Sequence, residues 1–277
     1  MNSILILTDF SANSWNSIEY ALGLFKNKAC NFYLLNVSDS QEDEFENFTN
    51  HSGVVATVKK VKNSQKNFVE LVQKIKVLGL MGGHVFTSIS IKNNLVNAVK
   101  SEIKSKKIEL IVIGTNGLSS QGKMHIGSIS EDIITKVKCN TLVVPKDARY
   151  TSLNEIAFPT DYTYFYEAKL LQNTKELFNF KESFLRFVYL SKSNDVLDKE
   201  QLWNKETLHD YFINSPHDFY FEINQNMELS IQKVIDDFGI DLIIMAAKNL
   251  YLFEQILFRP KINTIKYYSK TPFLILH

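Results

Sequence analysis

Ile108-Glu109-Leu110-Ile111-Val112-Ile113-Gly114-Thr115-Asn116-Gly117 is the stretch whose reading decides the fold. The apolar run Leu110 to Ile113 is short and bounded by polar and glycine residues, the pattern of a strand covered on both faces. Nine residues separate Gly117 from Gly127-Ser128. An amphipathic helix follows, with Ile129, Ile133, Ile134 and Val137 expected to face inward, and then a second buried strand, Leu142–Val144, ahead of Pro145. A strand that runs into a glycine-rich loop and then into a helix start is suited to holding phosphate. Glycine lets the backbone turn with positive φ and come close to a ligand. The free N–H groups and the dipole at a helix start favour an anion.

Outward from this stretch, the first half alternates strand and helix. Strands are expected at Ile4–Leu7, Phe32–Val37, Val85–Ile91, Leu110–Ile113 and Leu142–Val144. Between them, Trp15, Ile18, Leu22 and Phe25 recur at helical spacing, as do Phe68, Leu71, Val72, Ile75 and Leu78, a helix stopped by Gly79. A third stripe is Leu95, Val96, Val99 and Ile103. Asp39 to Glu46 is acidic and reads as a surface loop, and Gly82-Gly83 as a turn. Strands alternating with helices of this length imply parallel βαβ units and a doubly wound sheet. Ligands of such sheets sit beyond the carboxyl ends of the strands, where strand order reverses. Asp9 and Gly114 both stand at such ends and are expected to face one cleft.

The chain also repeats itself. Ile4-Leu5-Ile6-Leu7-Thr8-Asp9-Phe10-Ser11 is echoed by Ile156-Ala157-Phe158-Pro159-Thr160-Asp161-Tyr162-Thr163, and Ile108–Ile113 by Ile240–Met245. The polar connection Lys146 to Asn154 divides the halves, giving expected domains at 1–147 and 153–277. Second-half strands are expected at Ile156–Phe158, Leu185–Leu190, Phe219–Ile223, Leu242–Met245 and Phe273–Leu276, with helices near Tyr164–Phe178, Lys199–Phe212, Met227–Phe238 and Ile262–Tyr268.

Composition narrows the function classes. Over 277 residues, 45% hydrophobic and 22% charged content is that of a globular protein able to bury a core in each half. A net charge of +1 supplies no field to steer nucleic acid or a membrane, so neither is an expected partner. Lys59, Lys60 and Lys62 read as solvated surface. Cys30 and Cys139 form no disulfide framework or zinc pattern, and His51, His84, His209, His217 and His277 show no ligand spacing. The apolar run at Ser3–Leu7 is too short, and too poor in preceding positive charge, to read as a signal peptide, and no segment approaches the length of a membrane span, so a reducing cytoplasm is the expected compartment.

On these residues the chain resembles the universal stress protein family. Its ATP-binding members carry Gly, two residues, Gly, nine residues, Gly, then Ser or Thr, a spacing matched by Gly114, Gly117, Gly127 and Ser128. The resemblance implies tandem Rossmann-like, adenine-nucleotide alpha-hydrolase-like domains, each a five-stranded parallel doubly wound α/β sheet. It implies that Asp9 faces the adenosine end, with Thr8 assisting, that Val37 lines the base pocket, and that Ser128 and Ser130 reach phosphate oxygens. It further implies ATP as ligand, with Mg²⁺ as its usual companion, and self-association through the last strands, Leu142–Val144 and Phe273–Leu276. That pairing would give a pseudo-dimer within one chain, or a homodimer.

The second half departs from the pattern. Ala246 stands where Gly114 does, Asn249 where Gly117 does, and the third glycine has no counterpart. Asp161 is retained but alone cannot hold a triphosphate, so the second domain is expected not to bind ATP in this way. The apolar residues Leu250–Phe253 and Ile256–Phe258 are expected to be packed against something. Plainer readings stand beside the functional ones. The glycines serve tight turns, Asp9 and Ser128 cap helices, Lys123 and His125 are surface residues, and Trp15 and Trp203 are packing residues. No Walker-type Gly-Lys-Ser/Thr and no assignable general base is present. The expected function is therefore a nucleotide-binding stress-response regulator with little or no hydrolysis. The alternatives are an adenylyl- or phosphoryl-transferring enzyme on the same scaffold, or an interaction module without nucleotide.

Overall fold

The computed structural model describes residues 1–38, 62–79, 83–115, 128–178, 182–191, 196–223, 226–249 and 270–277, together with 44–45, 48–49, 55–56, 59–60 and 256. The chain forms two compact units. One comprises Met1–Thr115 and Asp132–Thr151, the other Asn116–Glu131 and Ser152–His277.

The first unit begins with β1 (Asn2–Leu7), α1 (Ala12–Leu24) and β2 (Cys30–Ser38). Four two-residue strands follow: β3 (Glu44–Phe45), β4 (Phe48–Thr49), β5 (Val55–Ala56) and β6 (Lys59–Lys60). β3 pairs antiparallel with β6, and β4 with β5. Glu44 and Phe45 thus take part in a short ladder where the acidic stretch predicted only loop; the rest of Asp39–Glu46 lies outside the described residues. Next come α2 (Lys62–Val77), β7 (Val85–Lys92), α3 (Leu95–Lys106), β8 (Leu110–Thr115), α4 (Ser128–Lys136), which belongs to this unit from Asp132 onward, and β9 (Thr141–Pro145). The five long strands lie in the order β9-β8-β1-β2-β7. All adjacent pairs among them are parallel.

Sequence explains these elements directly. Ser11 caps α1 by accepting from the Ser14 amide, and Asn94 caps α3 by accepting from the Val96 and Asn97 amides. Gly79 follows α2 with φ of 67°, the left-handed turn that ends a helix cheaply only at glycine. Ile4, Leu5, Ile6, Leu110, Ile111 and Val112 are wholly buried, as continuous apolar runs in the two central strands require. β8 runs on through Gly114 and Thr115 because Val144 and Pro145 of β9 continue the ladder beside them. Ile133, Ile134 and Val137 are buried, but Ile129 is 59% exposed. It is therefore not part of the inward stripe.

The second unit contains β10 (Glu155–Thr160), α5 (Ala168–Phe178), β11 (Phe184–Ser191), α6 (Lys199–Phe212), β12 (His217–Ile223), α7 (Met227–Phe238), β13 (Leu242–Ala246) and β14 (Phe273–Leu276). Its strands run β12-β11-β10-β13-β14, again parallel at each pairing. Asp198 and Gln201 form a reciprocal capping box on α6, and Asn226 caps α7 as Asn94 caps α3. α5 starts at Ala168 rather than near Tyr164 because the preceding segment turns its tyrosines inward: Tyr162 and Tyr166 are buried. Trp203 is 60% exposed and stacks on Phe165, with ring centroids 5.2 Å apart. Arg186 of β11 is buried between Glu155, at 3.1 Å, and Asp218, its guanidinium 3.7 Å from the Phe238 ring centre. The helix expected at Ile262–Tyr268 lies outside the described residues. Of the apolar loop, Ile256 is described, and it is buried.

Candidate functional site

In the first unit, the chain leaves β1 at Thr8, whose amide donates to the Leu35 carbonyl at 2.9 Å. Phe10 then adopts a left-handed φ of 63°, and its ring meets Phe68 edge-on at 4.9 Å. A bulky residue in this region carries strain, so the surroundings must hold it there. Local hydrogen bonds do so. The Phe10 amide donates to the Thr8 hydroxyl at 3.0 Å, and that hydroxyl is 3.1 Å from the Ser14 hydroxyl. The Ser11 amide and hydroxyl donate to one Asp9 carboxylate oxygen at 3.0 and 2.6 Å. The Asn36 side-chain amide donates to the Thr8 carbonyl at 2.8 Å.

Register aligns the expected site residues at one end of the sheet. Leu7 pairs with Leu35, which puts Asp9 level with Val37, and Ile6 pairs with Val112, which puts Thr8 level with Gly114. Asp9 is exposed, Val37 and Gly114 are half-buried, and Thr8 is buried with its hydroxyl engaged by its own turn. Ser128 and Ser130 open α4, the first exposed and the second buried. Gly117, Gly127, Lys123 and His125 lie outside the described residues.

Burial pushes the Asp9 carboxyl up, but hydrogen bonds from Ser11 and Ser14 outweigh it and hold the group below the usual carboxylate range. Asp9 is consequently an anion at neutral pH. A carboxylate offers about four acceptor positions, and the Ser11 bonds fall on a single oxygen. Capacity remains for a ligand N–H or O–H.

Gly114 has a structural task of its own. A Cβ built on it would lie 2.9 Å from the Asn13 carbonyl oxygen and 3.2 Å from the Asn13 side-chain nitrogen. The missing side chain therefore lets the first turn of α1 approach β8.

The second unit repeats the bonds within the turn. Tyr162 has φ of 57° and its amide donates to the Thr160 hydroxyl at 3.0 Å. The Thr163 amide and hydroxyl donate to one Asp161 oxygen at 3.0 and 2.7 Å. Further partners then fill the corner. The Asn249 side-chain amide donates to that Asp161 oxygen at 3.0 Å, Gln201 to the Asp161 carbonyl at 2.9 Å, and Asn204 to the Tyr162 carbonyl at 2.7 Å. Pro159 pairs with Val188 as Leu7 pairs with Leu35, so Tyr189 occupies the place of Asn36. Its ring stacks on Tyr162 at 5.4 Å and 7°. Burial pushes the Tyr162 and Tyr166 hydroxyls well above the usual tyrosine range, and they stay protonated.

A sequence model of the universal stress protein family matches residues 1–145. The chain belongs to the universal stress protein family. No curated protein matches it. Solved structures match along its whole length. A universal stress protein from Archaeoglobus fulgidus is 15% identical, with 99% of this chain and 97% of that one covered and a TM-score of 0.62. A putative universal stress protein from Pseudomonas aeruginosa UCBPP-PA14 is 12% identical, with 100% and 93% covered and a TM-score of 0.60. A functionally unknown protein from Pseudomonas aeruginosa PAO1 is 11% identical, with 100% and 92% covered and a TM-score of 0.59. These likenesses concern the fold, an open, mostly parallel α/β sheet flanked by helices.

Within this universal stress protein, sequence reasoning had paired Asn249 with Gly117 by alignment but had not seen that its amide reaches Asp161. The roles of Asn36 and Ser14 in bracing the first corner were also missed. The one available signal was the repeated Thr-Asp, which marks two equal turns without saying what approaches them.

Proposed function

We propose that this universal stress protein binds one adenine nucleotide per chain, ATP in the first instance, at the carboxyl ends of β1, β2 and β8. Asp9 accepts hydrogen bonds from the adenosine moiety and Val37 packs on the base. The Gly114–Gly117 and Gly127–Ser128 segments receive the phosphates, with Ser130 assisting and Mg²⁺ accompanying the triphosphate. The observation that carries this reading is the contrast between two equal corners. Asp9 is exposed and bonded within its own turn, whereas Asp161 is also held by Asn249 and lies in a corner packed with tyrosines. The second unit then serves as a partner surface or structural half rather than as a second nucleotide site.

The protein's role is regulation rather than turnover. Asp9, held below the usual carboxylate range, is a weak base at neutral pH, and proton abstraction from water is most efficient when the base titrates near the working pH. Hydrolysis is correspondingly slow, in keeping with a cytoplasmic stress-response protein that reports nucleotide occupancy.

Calorimetric titration of the full chain with ATP, ADP and AMP tests the reading. Expected are one nucleotide per chain, loss of roughly tenfold or more in affinity for Asp9→Ala, and unchanged affinity for Asp161→Ala. Absence of binding, or sensitivity to Asp161 and not Asp9, refutes it.

A further inference from the structure

His209 and His217 stand eight residues apart in the chain and are brought together by the turn between α6 and β12. Nδ1 of His209 lies 3.0 Å from Nε2 of His217, with the rings 5.1 Å apart at 55°. Nδ1 of His217 lies 2.9 Å from the Ser215 carbonyl oxygen. A carbonyl only accepts, so that nitrogen carries the hydrogen and Nε2 keeps its lone pair. This is the arrangement that fixes the tautomer and orientation of a metal-ligating histidine. Nδ1 of His209 now donates its hydrogen into that lone pair.

We propose that His209 and His217 form a two-imidazole site for a divalent cation of the zinc or copper class. Two nitrogens at about 2.0–2.1 Å from such an ion, subtending between a right and a tetrahedral angle, are roughly 2.9–3.4 Å apart. The pair already has that separation, and chelation needs ring rotation rather than backbone movement. On chelation the hydrogen on His209 Nδ1 passes to its Nε2, exchanging through water at this exposed ring. His209 sits in the last turn of α6, the helix end whose carbonyls favour a cation. Asp218, next to His217 and electrostatically coupled to it, is already paired with Arg186 and adds little net charge. Lys205 opposes, but its ammonium rests 5.0 Å from the Phe219 ring centre.

Among the described residues no group of three or more His, Cys, Asp or Glu could hold a metal. Water therefore completes the coordination, and the site is open and exchangeable. Imidazole donors select zinc and copper over magnesium, so the site is distinct in chemistry and place from any nucleotide-bound Mg²⁺. A bound ion would clip α6 to β12, the outer strand in the order of this unit's sheet.

The test uses the full chain without nucleotide, titrated with zinc chloride and, separately, copper(II) chloride. His209→Ala and His217→Ala are the variants, with far-UV circular dichroism as the folding check; His209 is exposed and its loss is expected to leave the fold intact. Expected are zinc binding weakened by roughly tenfold or more in each variant, and a cupric EPR spectrum with two coupled nitrogens reduced to one. Wild-type affinity in both variants, an unaltered nitrogen pattern, or no zinc binding by the parent chain overturns the proposal. The readout is independent of whether nucleotide binds.

Discussion

Gly114→Ala separates two reasons for a glycine at the end of β8. The added Cβ would lie 2.9 Å from the Asn13 carbonyl oxygen, which is backbone and cannot rotate away. α1 or β8 must therefore yield by a few tenths of an ångström. Overpacking of this kind costs about 1–3 kcal/mol. Restricting the unfolded chain returns about 0.4–1 kcal/mol. The net loss is about 0–2.6 kcal/mol, centred on ~1.3 kcal/mol, which is a fall of roughly 3–5 °C in the unfolding midpoint for a unit of this size.

The assay is urea and thermal unfolding followed by tryptophan fluorescence. The chain has 2 tryptophans, Trp15 in the first unit and Trp203 in the second, and a Trp203→Phe background isolates the first. Ala246→Gly makes the reverse change at the corresponding second-unit position, where the native methyl is already accommodated and buried. It is expected to destabilise that unit by about 1 kcal/mol. A Gly114→Ala chain with the parent midpoint and slope refutes the close approach of α1. Were stability unchanged but nucleotide affinity lost, the glycine would be there for the ligand alone.

Three further outcomes are expected. Tyr162→Phe removes a buried hydroxyl that has no hydrogen-bond partner among the described residues; the second unit should gain about 1 kcal/mol, read as a higher Trp203-reported midpoint. Arg186→Leu leaves Glu155 and Asp218 without their shared cation. Because those carboxylates are 29% and 40% exposed, the loss should fall below the deeply buried case, at about 2 kcal/mol by urea titration. Burial pushes the Cys139 thiol from 9.0 up to about 12 and that of Cys30 to about 11. Both raised groups contribute stability below the unfolded value that is lost as pH rises through the folded ones. Native-state alkylation at mildly alkaline pH should accordingly be about a hundredfold or more slower than in urea, and comparable rates in the two states would contradict the burial.

Leu110–Ile113 and the two Thr-Asp sequences were legible because strand burial and turn chemistry are local. Alternation of strands with Leu95–Ile103 and similar stripes was enough to give a parallel doubly wound sheet. Other features depend on what approaches from a distance. α5 starts late because Tyr162 and Tyr166 turn into the core, which no helical spacing announces. Ile129 matches the stripe of Ile133 and Val137 yet lies exposed, since the first turn of a helix need not contact the sheet its later turns cover. Trp203 was expected to pack, and does, but on Phe165 at the surface. The seat of Gly114 against Asn13 and the bond from Asn249 to Asp161 are tertiary contacts, invisible to spacing.

The paired left-handed corners carry a lesson about divergence. Phe10 and Tyr162 hold nearly equal angles, 63° and 57°, although the helix starts at Ala12 after the one and only at Ala168 after the other. An aromatic ring anchors each kink, on Phe68 in one half and on Tyr189 in the other. The main-chain shape is thus the same in surroundings that differ. The two halves share one turn and differ in what leans against its aspartate, so the kink alone does not tell whether that carboxylate can meet a ligand.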